Sequence, residues 1–230
     1  ILCGHAINGV IPKNNKKIVK YFELFHEVWL HSPYDKKILC EELFCGSKNL
    51  KVLGFVRNQI LIENIKEKNE LKSENSMSDK KIILYAPTSH RGNNDYINSE
   101  FSAFNIKFYE FMDKQLINTN IYLIIKPHYK DTLSSQIYDY IKVSNNIFLN
   151  EELNLQNDYD VMTISDLLIT DISTVYVDYL LLDNPIYIIN NPDPDPYMQR
   201  SSILRNIDLP TINDKKDCLL YTSPSPRDKT

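Results

Sequence analysis

Short apolar runs recur along the chain, separated by polar or helix-period stretches. Residues 28–30, 51–55, 82–86, 121–126 and 147–149 read as strands, Leu167–Thr170 is apolar enough to be buried on both faces of a parallel sheet, and Ile186–Ile189 reads as the next buried strand. Between them, helices are predicted over 16–25, 35–44, from Val56 onward, and over 101–117, 132–142, 159–165 and 175–182. Strands alternating with helices specify a doubly wound α/β fold, with ligands outside the carboxyl ends of the strands. The stretch 63–81 is rich in Lys, Glu, Asn and Ser and reads as an exposed helix end and linker. The expected organisation is therefore a domain at 1–62, a polar linker at 63–80, and a second domain at 81–217.

Residues 164–190, ISDLLITDISTVYVDYLLLDNPIYIIN, are the most organised stretch. A buried strand ends in Thr170, Asp171 begins a turn with Ser173 and Thr174, a mostly apolar helix follows, and Asp183-Asn184-Pro185 stops it before the next strand. Two readings of that turn stand side by side. The side chains cap the helix, or the helix start and its hydroxyls receive an anion such as a phosphate.

The other strand ends supply matching chemistry. Thr88, His90 and Arg91 follow the strand at 82–86, and Lys126 and His128 follow the strand at 121–126. Cationic donors and hydroxyls on one rim suit a diphosphate, which they bind while offsetting charge on a leaving group. No compact carboxylate cluster accompanies them, so no metal site is expected.

Composition narrows the choice further. A formal charge of −4 argues against a bulk electrostatic nucleic-acid binder. The four cysteines lack metal-binding spacing, and no apolar run has the length of a membrane span. The chain begins at Ile1 inside a strand-like run, and residues 218–228, CLLYTSPSPRD, read like a translated sequencing adapter. Residues 218–230 are therefore expected to be a non-native tail, and the chain a fragment.

Several segments resemble one family. "ISDLLITDISTVYVDYLLLDNPI", "ILYAPTSHRG", "LIIKPHY" and "VLGFVRNQIL" are similar to signature segments of the CDP-glycerol glycerophosphotransferases of teichoic-acid and capsule synthesis. Val56 and Gln59 stand where the family pattern has Pro and Asp, and Ala6 where it has Gly. The resemblance implies a GT-B-like architecture of two Rossmann-like domains, the first incomplete here, with donor in the second and acceptor in the cleft. It implies transfer of glycerol phosphate from CDP-glycerol to a hydroxyl of a lipid-linked or polymer acceptor, releasing cytidine monophosphate, without a cofactor or nucleic acid. His5 is implied as general base, a role that its ordinary pKa near neutrality allows. Arg91, Lys126, His128, Thr170, Asp171, Ser173 and Thr174 are implied at the donor diphosphate. Lys13, Arg57, Asn58, Thr88 and His90 are candidate cleft contacts. The lipid-linked acceptor implies a cytoplasmic location peripheral to the inner face of the membrane. A sugar-nucleotide GT-B glycosyltransferase, or a non-catalytic nucleotide-binding fragment, are the alternatives.

Overall fold

Parallel strand pairing runs through both parts of the chain. A computed structural model describes residues 2–3, 24–30, 33, 36–37, 40, 50–54, 56–88, 102–171, 173, 175–189 and 211–212. The chain divides into two units, Ile1–Glu63 with Pro194–Asp208, and Asn64–Asp193 with Leu209–Thr230.

The first unit carries β1 (Leu2–Cys3), β2 (Val28–Leu30) and β3 (Leu50–Val52), paired in that order and all parallel. Val28, Leu30 and Leu50 are buried, which follows from their alternation with Trp29 and Lys51. The strand predicted over 51–55 stops at Val52. The N–H groups of Leu53 and Gly54 both donate to the Leu30 carbonyl at 3.1 Å, and Gly54 takes φ +74°, which turns the backbone out of the sheet. Helix α1 (Val56–Asn64) follows. Most of the helices predicted over 16–25 and 35–44 lies outside the described residues, and Leu24 and Phe25 are not helical.

The second unit carries β4 (Lys81–Tyr85), β5 (Ile121–Ile125), β6 (Ile147–Leu149), β7 (Leu167–Thr170), β8 (Ile186–Ile189) and β9 (Thr211–Ile212). Their order is β6-β5-β4-β7-β8-β9, and every pairing is parallel. Counted within the unit this is 3-2-1-4-5-6, the doubly wound arrangement. Tyr85 pairs with Ile125 on one side and Ile169 on the other, so the ends of these three strands are level.

Polar caps set the helix starts of this unit. Asn105 accepts from the Lys107 N–H and starts α3 (Ile106–Leu116), five residues later than the apolar run 101–104 suggested. Ser134 caps α4 (Ser135–Val143), and Asn157 with Asp160 forms a capping box on α5 (Asp158–Ile164). The buried faces of these elements meet in one core that includes Tyr85, Phe108, Tyr109, Met112, Ile125 and Ile137. Each such side chain contributes about 1.5–3 kcal/mol by leaving water.

Residues 64–80 correct the linker expectation. A 3-10 turn (Ile65–Glu67) and helix α2 (Lys68–Glu74) belong to the second unit. Two lysines of α2 are paired: Lys68 and Lys72 reach the two oxygens of Asp166 at 2.9 and 2.8 Å, and Lys72 is only 6% exposed. Burial works to raise the Asp166 carboxyl, but hydrogen bonds from Lys72, the Ile82 N–H and Lys68 outweigh it and hold it below the usual range. A charge-rich segment with few apolar residues can dock in this way because its long lysine stems cover apolar surface while the ammonium finds a fixed partner.

Candidate functional site

In a 3-2-1-4-5-6 sheet the strand order reverses between the first and fourth strands. Here these are β4 and β7, so the ligand crevice lies outside their carboxyl ends. Backbone bonds hold the rim level: the Ala86 N–H donates to Ile169 O at 3.0 Å, and the Lys126 N–H to Tyr85 O at 2.9 Å. With strands about 4.8 Å apart, the loops after β5, β4 and β7 face one another across roughly 10 Å, the span of a diphosphate with its substituents.

The loop after β7 resolves the two readings of its turn. Thr170 is fully buried, and its hydroxyl donates to the Ala86 carbonyl at 2.6 Å. That corrects its expected place at the diphosphate, because strand pairing turns the hydroxyl into the sheet. Asp171 is fully buried as well. Its carboxylate accepts the Thr88 N–H at 2.9 and 3.1 Å and the Ser173 N–H at 3.2 Å. It ties the loop after β4 to the loop after β7, and as an anion surrounded by N–H donors it is a support for the rim.

Ser173 is half-buried, and its Oγ accepts from the Val175 N–H at 3.4 Å, which leaves its own O–H to donate. The helix behind it, α6 (Val175–Tyr179), has five α-helical residues before a 3-10 turn and a stop at Asp183, φ +53°. Its dipole is short, so hydroxyl and cationic groups matter more at this rim than the sequence suggested.

After β5, Lys126 Nζ pairs with Asp158 at 3.1 Å. Asp158 is 68% exposed, and such pairs contribute only about 0.2–1 kcal/mol. A doubly charged ligand can therefore take Lys126 over. His128 Nδ1 accepts the Lys130 N–H at 3.3 Å, which in the neutral ring puts the proton on Nε2. Thr88, Lys126, His128 and Ser173 thus stand on three adjacent strand ends. Asn58 is on α1 in the first unit, and its Oδ1 is buried with no hydrogen-bond partner among the described residues. Arg57 lies on the α1 backbone, its side chain outside the description. His5, Lys13, His90, Arg91 and Thr174 lie outside the described residues. Two residues of the rim carried no expectation: Asp158, a surface acid by pattern, and Tyr129, whose place in "KPHY", two residues after Pro127, was the available signal.

Comparison with known proteins identifies the family. The family model described as CDP-Glycerol:Poly(glycerophosphate) glycerophosphotransferase matches residues 13–208. The chain belongs to this family. A teichoic acid poly(glycerol phosphate) polymerase of Bacillus spizizenii is 34% identical over 143 residues, covering 58% of this chain and 33% of that protein. A teichoic acid glycerol-phosphate primase of the same organism is 29% identical over 142 residues, 60% of this chain and 33% of that protein. The chain spans about a third of the length of these curated relatives. Among solved structures, a variant of the wall teichoic acid polymerase TagF matches with TM-score 0.69 at 17% identity, over 97% of this chain and 58% of that one. A UDP-GlcNAc 2-epimerase from Neisseria meningitidis matches at TM-score 0.54 and 13% identity, over 87% of this chain and 52% of that one. At such identities the likeness is one of fold, and the fold is GT-B-like, with two parallel-sheet α/β units as the sequence led us to expect.

Proposed function

We propose that the protein to which this chain belongs moves glycerol phosphate from CDP-glycerol to a hydroxyl of a lipid-linked or polymer acceptor in teichoic-acid synthesis. The family match across residues 13–208 carries this reading. Relatives named as a polymerase and a primase support it, as does a TagF structure obtained with CDPG. The acceptor oxygen attacks the phosphorus that bears the glycerol, the bond from that phosphorus to the bridging oxygen breaks, and cytidine monophosphate leaves with the electron pair. His5 takes the acceptor proton, a role that rests on the family resemblance around Gly4-His5. Lys126, His128 and Ser173 receive the diphosphate in the described part of the rim, with Thr88 beside them. Arg91 and Thr174 join them in this reading, and Lys13, Arg57, Asn58 and His90 are further cleft contacts. Thr170 and Asp171 act from behind, by holding the loops.

Residues 1–63 belong to the acceptor side in this reading, and 64–193 to the donor side. No described helix is long and apolar enough to cross a membrane, and the lipid-linked acceptor places the enzyme at the inner face of the cell membrane by peripheral contact. The test is release of cytidine monophosphate from CDP-glycerol by the full-length protein, with His5→Ala as control and UDP-sugars as rival donors. Turnover that disappears in the control while donor affinity stays is the expected result. Selective binding of UDP-sugars would replace the donor, and unchanged turnover in His5→Ala would move the base elsewhere.

A further inference from the structure

The loop after β5 is built more firmly than a connection requires. The Asp131 N–H donates to His128 O at 2.8 Å, closing a turn with Tyr129 and Lys130 at its centre. Its flanks are held: His128 Nδ1 receives the Lys130 N–H, Leu133 is buried, and Ser134 caps α4. At the apex Tyr129 is 83% exposed, the highest value among the described large hydrophobic residues. Its ring lies 4.5 Å from the His128 ring at an interplanar angle of 32°, and Lys130 Nζ lies 5.4 Å from its centroid. An aromatic ring held in water by a rigid turn, braced by an imidazole and an ammonium, is arranged to meet another flat group.

Its place in the sheet says which group. In a doubly wound sheet a dinucleotide's pyrophosphate sits at the turn after the first strand and its ribose at the end of the second. Here these are β4 and β5, so Tyr129 stands on the nucleoside side of the crevice. We propose that Tyr129 is the stacking platform for the pyrimidine ring of the donor, with His128 and Lys130 fixing its orientation. This rests on the nucleotide-donor reading above.

The probe is cytidine monophosphate, titrated by calorimetry into the full-length protein and its Tyr129→Ala and Tyr129→Phe variants, with inorganic pyrophosphate as a second ligand. Loss of base–aromatic stacking makes Tyr129→Ala bind cytidine monophosphate roughly 5- to 150-fold more weakly. Tyr129→Phe keeps the ring and stays within about twofold. Pyrophosphate binding and the acceptor KM stay unchanged. Equal affinity for cytidine monophosphate in wild type and Tyr129→Ala overturns the proposal, and so does a raised acceptor KM with donor binding intact, which would give the ring to the polymer. Wild type that binds uridine nucleotides in place of cytidine monophosphate would overturn the CDP-glycerol reading alone, and the platform stands if Tyr129→Ala loses that binding too. Wild type that binds no nucleotide overturns both.

Discussion

Asp171 is where the structure departs most usefully from a ligand-contact reading, and its replacement tests the geometry of the crevice. Asp171→Ala removes the acceptor for the Thr88 and Ser173 N–H groups. Leaving a buried donor without a partner costs about 1–3 kcal/mol each. Thr88 and Ser173 are only half-buried, so water recovers part of the loss, and the combined cost is about 2–3 kcal/mol. Asp171→Asn keeps the shape and one acceptor but loses the charge assistance, for a cost of about 1–2 kcal/mol.

Hydrogen exchange read by mass spectrometry localises the effect. Tenfold faster exchange corresponds to about 1.4 kcal/mol, so peptides over 86–88 and 171–175 of Asp171→Ala exchange roughly 30- to 150-fold faster. Peptides over β6, on the far side of β5, stay as they are. CDP-glycerol affinity falls in both variants, because the loops proposed to hold the diphosphate lose their shared anchor. Unchanged exchange at Thr88 would refute the anchoring role. Tighter donor binding by Asp171→Asn would show that the charge of Asp171, repelling the diphosphate, outweighs the geometry it supports.

Three further outcomes follow from described contacts. Asp166→Asn leaves the 6%-exposed Lys72 without its counter-charge and destabilises the second unit by about 2–4 kcal/mol, less in Asp166→Asn/Lys72→Met, as unfolding by urea would read. Since the folded Asp166 pKa lies below its unfolded value, the unfolded chain takes up the proton first; this contribution is present above about pH 4, is lost as pH falls through the folded value, and acid titration of Asp166→Asn lacks it. Thr163→Val replaces a buried hydroxyl that has no hydrogen-bond partner among the described residues with a methyl group, and raises the urea midpoint by the equivalent of about 1 kcal/mol without changing the slope.

How much of this was legible in the sequence depends on what each signal constrains. The strands at 147–149, 167–170 and 186–189 stand where the apolar runs placed them, because each run is bounded on both sides by polar or turn-forming residues. Helix starts were read less well. The apolar residues at 101–104 resemble a first helical turn, yet the cap at Asn105 decides the start. The polar stretch 63–80 was read as a linker because composition cannot distinguish lysines in water from lysines converging on one aspartate. For the site, the rim was legible as a set, since parallel strands deliver all their carboxyl ends to one edge. Which hydroxyl faces the crevice was not legible, since Thr170 and Ser173 differ only in whether the chain is still paired at that residue.

The segment that resembles the family most strongly spends most of its polar residues on the sheet. Asp166 precedes β7 and accepts the N–H of Ile82 in β4, while Asp171 follows β7 and accepts the N–H of Thr88 beyond β4. Thr170 adds a third bond, to the Ala86 carbonyl. β7 therefore grips β4 at both ends, and these are the two strands that flank the reversal of strand order. A parallel pair has evenly spaced ladder bonds and no hairpin turn to set its register, so end clasps of this kind fix which residues stand level at the crevice. A one-residue slip would carry Ser173 and Thr88 out of line by about 3.3 Å, enough to separate groups that must meet one diphosphate. In the proposed reading, recognition of the donor falls to residues that the clasp positions but does not use, the Ser173 hydroxyl and the loop from Lys126 to Lys130. On this argument, substitutions in the clasp lower donor affinity and sheet protection together, whereas substitutions in that loop change affinity alone.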